Sequence, residues 1–257
     1  MKRALPAALP AALPATLVAM MVLVAWESLV RLFGVPAFLL PGPSAIAGAF
    51  WESRDLLLRH AGPTAGEAIV GFLVAVVTGA LSGLLINRSA LAERSLYPWL
   101  VVSQTLPTVA IAPILVTWLG YGQLPKVLVV TLFCFFPITV ATVDGLRATD
   151  PELVRLMRSF GAARWRIFFM VEAPGALPFF FGGVRLAVTY CVIGAVVGEW
   201  VGSSEGLGFL MIQDKAQFEI PRLFAEISLL SVMGVSHFLL VALLQRLAAP
   251  WTLARDR

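Results

Sequence analysis

The sequence predicts an all-α, polytopic membrane protein of about six transmembrane helices, with a cytoplasmic helix-turn-helix between the fourth and the fifth. Composition is the first observation: of 257 residues 59% are hydrophobic and only 13% charged, with a mean hydropathy of +0.89. Soluble domains carry about 25% charged residues, so most apolar side chains here must face lipid or one another. Disorder, a collagen-like fibre and a disulfide-stapled scaffold are excluded by the same arithmetic. The second observation is a series of runs free of Asp, Glu, Lys and Arg, each long enough to cross a hydrocarbon core. The third is a short amphipathic segment that is rich in arginine and too short to cross.

In chain order, the first crossing runs over residues 4–26 and continues past Glu27 to about Phe33. Met1, Lys2 and Arg3 ahead of an apolar run imitate a signal peptide, but no small-residue cleavage site closes a short run, which predicts an uncleaved helix. The second crossing is 68–87. The third, 95–125, contains Pro98, Pro107 and Pro113 and ends in Gly120-Tyr121-Gly122, a pattern that predicts a bent crossing with a loop attached. The fourth is 127–143, the fifth 177–201 with Arg185 near its start, and the sixth 227–245. Gly71, Ala75 and Gly79 recur every four positions, spacing that lets helices approach closely. Cys134 and Cys191 each lie within an apolar run and read as plain buried thiols.

Six crossings put both termini on one side. Twelve basic residues, among them Lys2, Arg3, Arg88, Arg94, Arg147, Arg155 and Arg246, fall on that side, against six on the other, Lys126 included. The excess of positive charge predicts cytoplasmic termini in an inner (plasma) membrane. The net charge of +4 therefore marks a membrane face and does not point to nucleic acid.

The cytoplasmic loop, 144–176 within a single transmembrane domain of 1–257, carries the strongest local signals. Asp150 can cap a helix, Pro151 suits its first position and Glu152 complements the helix dipole. Leu153, Leu156, Met157 and Phe160 follow at helical spacing, Arg155 and Arg158 lie off that stripe, and Gly161 ends the helix. A second short helix, 164–171, presents Trp165, Phe168 and Phe169 until Pro174 stops it. On chemistry alone, this pair either lies on anionic lipid or docks into a cytoplasmic partner.

Gly161, followed ten residues later by Val171-Glu172-Ala173-Pro174, resembles the signature loop of the membrane subunits of binding-protein-dependent ABC importers. The acidic-alanine element of that signature reads Arg155-Leu156-Met157 here, while the glycine and the proline are kept. Gly182-Gly183-Val184-Arg185, Gly198-Glu199-Trp200 and Gly206-Leu207-Gly208 extend the resemblance to the permeases for nitrate, sulfonates, taurine and vitamin precursors. Phe135-Phe136-Pro137-Ile138, Asp144-Gly145-Leu146 and Tyr190-Cys191-Val192-Ile193-Gly194 are most similar to permeases for hydroxymethylpyrimidine, the pyrimidine precursor of thiamine, or for riboflavin. The resemblance implies a type I importer fold and two permease copies, with this chain as a homodimer. It also implies two cytoplasmic ATPase subunits and an extracytoplasmic solute-binding protein. ATP and Mg would be bound by the ATPase, with no cofactor on this chain, which lacks a phosphate-binding G-x-x-x-x-G-K-[ST] loop. ATPase contact then falls to Glu152, Arg155, Leu156, Met157, Phe160, Gly161, Ala162, Arg164 and Trp165.

Gln104, Trp118, Tyr121, Phe133, Phe136, Tyr190 and Glu199 are the candidates for the solute path. Aromatic faces with few cations favour a neutral or cationic heteroaromatic solute over sulfonate or nitrate. Glu27, Glu67 and Glu199 are ionisable groups near the crossings and functional suspects on that ground. A stand-alone carrier relaying protons through them is the competing reading. His60 and His237 have no neighbours at metal-ligand spacing, and no catalytic constellation points to an enzyme.

Overall fold

The computed structural model describes residues 8–251, with side chains from residue 14 onward. Calls of the sequence on residues 1–7 and 252–257, including the start of the first crossing and the terminal arginines, lie outside them. Among the described residues there is no strand, and the elements are all helices. Five are long and apolar enough to cross a membrane, and a bent pair brings the total to six.

The contacts divide into two units. The first contains the described residues up to Leu58 together with Leu210–Leu229. In it α1 (Ala8–Leu32) presents exposed apolar side chains from Leu17 to Leu32, as a helix facing lipid does. Its Glu27 is structural: Oε2 accepts from the Ser44 amide at 3.0 Å and Oε1 from the Ser44 hydroxyl at 2.7 Å and Arg31 Nε at 2.6 Å. It therefore satisfies an orphan amide in the first turn of α2 (Pro43–Glu52), a short helix the charge-free search passed over. Asp214 of α10 (Leu207–Gln217), which is fully buried, holds Arg222 of α11 (Ile220–Ala248) through two hydrogen bonds of 2.5 Å.

The second unit, Arg59–Phe209 with Leu230 onward, is built around α6 (Gln123–Arg147). Along one side runs α3 (Arg54–Arg88), far longer than the predicted 68–87. A Cβ on Gly71, Gly79 or Gly83 would meet Val130, Ile138 or Thr142 at 2.5–3.0 Å. The small residues therefore serve packing within the chain, and the contacts keep the 59-position offset that also pairs Lys126 with Glu67. A constant offset means that α3 and α6 run parallel. The chain between them has to return, and it does so through α4 (Ala90–Thr105) and α5 (Thr108–Leu119), which meet at an angle of 101° at Pro107. The predicted bent crossing is this pair.

On α6 packs α9 (Ala173–Gly202), antiparallel, with Gly183 against Pro137, Gly194 against Val130 and Gly198 against Lys126. Cys134 and Cys191 are buried thiols, Cys134 bonding the Ala187 carbonyl across this seam at 3.3 Å.

Two expectations are corrected here. Pro174 does not stop a short helix: α8 (Arg164–Ile167), a π-helical turn over Phe168–Glu172 and α9 form one run of 39 residues. The Ala173 amide reaches back to the Phe168 carbonyl, so the wide turn sits directly ahead of the proline and accommodates its missing donor. Arg185 accordingly lies well inside a helix, not near its start. Lys126, assigned to an outer loop, is buried in an ion pair with Glu67.

The candidate cavity, the exposed loop and a buried polar cluster

α7 (Pro151–Ser159) begins as the sequence says, with Asp150 Oδ1 accepting from the Glu152 amide at 2.8 Å and Pro151 in the first turn. It ends in a Schellman motif. The Ala162 amide reaches the Met157 carbonyl at 3.0 Å and the Gly161 amide reaches Arg158 at 2.9 Å, with Gly161 at φ +74°. Leu156, Phe160 and Trp165 are 52, 78 and 63% exposed, and Glu152, Arg155, Gly161 and Arg164 are exposed beside them. Met157 and Ala162 are half-buried. An apolar, arginine-flanked knob results, exposed among the described residues. It sits at the end of unit two where Arg147 pairs with Glu93 at 2.6 Å and Arg88 lies over the Phe168 ring and 3.7 Å from Glu172.

Four of the proposed path residues converge. Gln104 near the end of α4, Phe133 and Phe136 on α6, and Tyr190 on α9 line one cavity of about 590 Å³, together with Thr108, Asp144 and apolar side chains. Its size is that of a site for a small organic molecule, and no Lys or Arg is among its lining residues. The α-helical period explains the convergence. Phe133, Phe136, Val140 and Asp144 are spaced by three or four on one stripe of α6, and Gly182, Leu186 and Tyr190 by four on α9. Trp118 and Tyr121 do not join them, being 77 and 84% exposed. Tyr121 instead rims a smaller, polar cavity with Gln123, Lys126, Ser203 and Glu205.

Glu199 belongs to a third arrangement, buried where α6 begins and α9 ends. Its Oε1 accepts from Thr64 Oγ1 at 2.6 Å and its Oε2 from the Gly208 amide at 2.5 Å. Lys126 Nζ donates to Glu67 and, at 3.0 Å, to Ser203 Oγ. His60 Nδ1 accepts from the Gly206 amide at 3.0 Å, and Thr64 Oγ1 accepts from the Leu207 amide at 2.8 Å. Sequence reading flagged the two glutamates but not Lys126, His60 and Thr64. The only signal that could have joined them was the 59-position register, which is invisible until α3 is seen to run parallel to α6.

A polytopic helical protein with parallel α3 and α6, an exposed helix-turn-helix and a half-open cavity lined from α4, α6 and α9 has the build of a membrane permease. Residues 71–250 match the family described as the inner membrane component of binding-protein-dependent transport systems, and this chain belongs to that family, as the permease subunit of an ABC importer. It is 40% identical to the formylaminopyrimidine transport permease protein ThiX of Halalkalibacterium halodurans, over 90% of this chain and 93% of that protein. It is 39% identical to the riboflavin transport system permease protein RibX of Chloroflexus aurantiacus, over 90% and 87%. Against the aliphatic sulfonates permease SsuC of Bacillus subtilis, described as putative, the identity is 32% over 90% and 84%. In fold it is similar to a chain of the inward-facing MetNI methionine ABC transporter, with a TM-score of 0.60 at 20% identity over 74% of this chain and 97% of that one. An amino acid ABC transporter solved with histidines gives a TM-score of 0.63 at 15% identity over 77% and 96%. Membership implies a multi-pass membrane protein that works with an ATPase and a solute-binding protein.

Proposed function

We propose that this permease passes a flat heteroaromatic vitamin precursor, a substituted pyrimidine of the hydroxymethylpyrimidine or formylaminopyrimidine kind, from its binding protein to the cytoplasm. The convergence of Gln104, Phe133, Phe136 and Tyr190 with Asp144 on one cavity without cationic lining carries this reading. Aromatic faces stack on a planar ring. The Gln104 amide and the Asp144 carboxylate suit ring nitrogens and exocyclic amino groups. An anionic sulfonate would find no compensating charge there. A riboflavin-type solute is the second reading, favoured by the same aromatic lining and by the likeness to RibX.

In the working assembly two copies of this chain sit on two ATPases that bind ATP and Mg. The exposed α7–α8 knob, with Leu156, Phe160 and Trp165, contacts the ATPase from the cytoplasmic side, where the basic residues and both termini lie. Binding of pyrimidines, flavins, sulfonates and nitrate to the partner solute-binding protein, followed by uptake through the reconstituted complex, tests the solute. Phe136→Ala is expected to reduce uptake of the preferred pyrimidine by up to about tenfold, the worth of one good aromatic contact. Preference for an inorganic anion or a sulfonate refutes the assignment.

A further inference from the structure

We infer that Glu67, Lys126 and Glu199 form an exchangeable polar lock on the turn between α9 and α10, and that this lock must open for solute to pass. The inference rests on the reading of the chain as an ABC permease.

Three successive amides at the start of α10 are all captured by side chains from elsewhere in the second unit. Gly206 donates to His60, Leu207 to Thr64 and Gly208 to Glu199. Orphan donors of a helix N-terminus need partners, and a carboxylate there is favoured by the helix dipole. Glu199 is therefore a remote cap for α10, and Gly206, at φ +107°, lets the turn fold tightly onto that carboxylate, where an added Cβ would collide with it. One step back along the turn, Ser203 receives Lys126 and bonds the Glu205 backbone. The turn is thus pinned at both ends, to α3 and α9 at Gly206–Gly208 and to α6 at Ser203. Lys126 and Ser203 also line the polar cavity of about 490 Å³, together with Gln123, Ser204 and Glu205.

The cluster holds one ammonium and two carboxylates. Lys126 is ion-paired with Glu67 and bonded to Ser203, and Glu199 is buried in the same cluster. Lifting the turn takes the Gly208 amide from Glu199 and the Ser203 hydroxyl from Lys126. Each loss leaves a buried polar group one hydrogen bond short, Glu199 with Thr64 alone and Lys126 with Glu67 alone. Lys126 supplies the compensation, because it can turn from Ser203 to Glu199 and bridge the two carboxylates. The same three side chains thus satisfy one another in two arrangements, which a bistable element requires. Lys126, Glu67 and Glu199 are positioning residues in this scheme and touch no solute.

The test uses the complete complex of this chain with its ATPase and solute-binding protein in lipid vesicles, reading ATP hydrolysis with and without loaded binding protein. The wild-type complex is measured first: absence of binding-protein-dependent hydrolysis refutes the permease reading itself and is thereby separated from failure of the lock. Lys126→Met and Glu67→Gln are expected to raise hydrolysis without binding protein and to shrink the stimulation ratio about tenfold. The paired swap Lys126→Glu with Glu67→Lys is expected to restore it; a merely structural pair would lower assembly without raising hydrolysis in the absence of binding protein. A wild-type ratio in either single variant overturns the proposal. Where a single variant does not assemble, Thr64→Val is read in its place. It removes the hydroxyl that ties Glu199 to the Leu207 amide, and an unchanged ratio there overturns the proposal equally, as does failure of the swap to restore the ratio in an assembled complex.

Discussion

Two adjacent glycines in α9 should respond to the same substitution in opposite ways. A Cβ on Gly183 would lie 2.6 Å from the Pro137 carbonyl oxygen, with the Ala141 side chain closer still, whereas a Cβ on Gly182 meets nothing within 4 Å. The obstacles at Gly183 are the Ala141 Cβ and backbone, neither of which can rotate away, so relief requires α9 to move off α6 by roughly 1 Å, the gap to ordinary packing distance. Such a shift also loosens Gly194 and Gly198, which sit 2.9 and 3.1 Å from the Val130 and Lys126 Cα atoms by the same measure. Replacing glycine by alanine inside a helix gains up to about 1 kcal/mol of propensity, and forced overpacking costs about 1–3 kcal/mol or more. We expect a net loss of about 2 kcal/mol for Gly183→Ala, a fall in Tm of about 4–8 °C, and an unchanged or slightly raised Tm for Gly182→Ala. Cys134 and Cys191 are buried in this seam, so a thiol-reactive fluorophore added to detergent-purified protein during heating reports its opening directly. Equal melting of the two variants, or a Gly183→Ala variant at least as stable as the parent, refutes the close-packed seam.

Further outcomes follow from the loop. Gly161→Pro removes the amide that bonds Arg158 and cannot adopt φ +74°. It should abolish stimulation of the ATPase by loaded binding protein while the protein remains in the membrane, and normal stimulation in that variant rejects the contact assignment. Gly161→Ala, which can reach this conformation at a cost of about 1–2 kcal/mol, should retain part of the stimulation. Asp150→Ala removes the cap on the Glu152 amide and should cost α7 about 1 kcal/mol. Faster amide exchange confined to the first turn of α7 is the expected signature, and unchanged exchange argues against a capping role.

Much of the fold was legible because it is written in local chemistry. Asp150-Pro151-Glu152 and Gly161 predict both ends of α7, and the structure has the same cap and the same glycine turn. The prolines of the third run predicted a bend, and it falls at Pro107. Where the reading came short, the cause was charge. A search for runs free of Asp, Glu, Lys and Arg cuts α3 at residue 68 because Arg59 and Glu67 precede it, and starts α11 at 227 because Arg222 and Glu226 do. A search for charge-free runs treats such residues as helix ends. The chain instead supplies their partners from far away, Lys126 for Glu67 and Gly206 for His60, and Asp214 for Arg222 across the turn into α11.

The candidate site divides in the same manner. Phe133, Phe136 and Tyr190 could be nominated from residue type and period, since a helix places every third or fourth side chain on one stripe. That Gln104 joins them, and that Trp118, Tyr121 and Glu199 belong elsewhere, follows from the return of α4 and α5 between two parallel helices. Membrane residence, the number of apolar crossings and the two ends of α7 are therefore set by composition and short-range hydrogen bonding, which act within a few residues. The register of α3 on α6 and the burial of Lys126 against Glu67 are decided only by packing. Buried charges are tolerated when a partner is brought to them, and that partner is fixed by the tertiary fold.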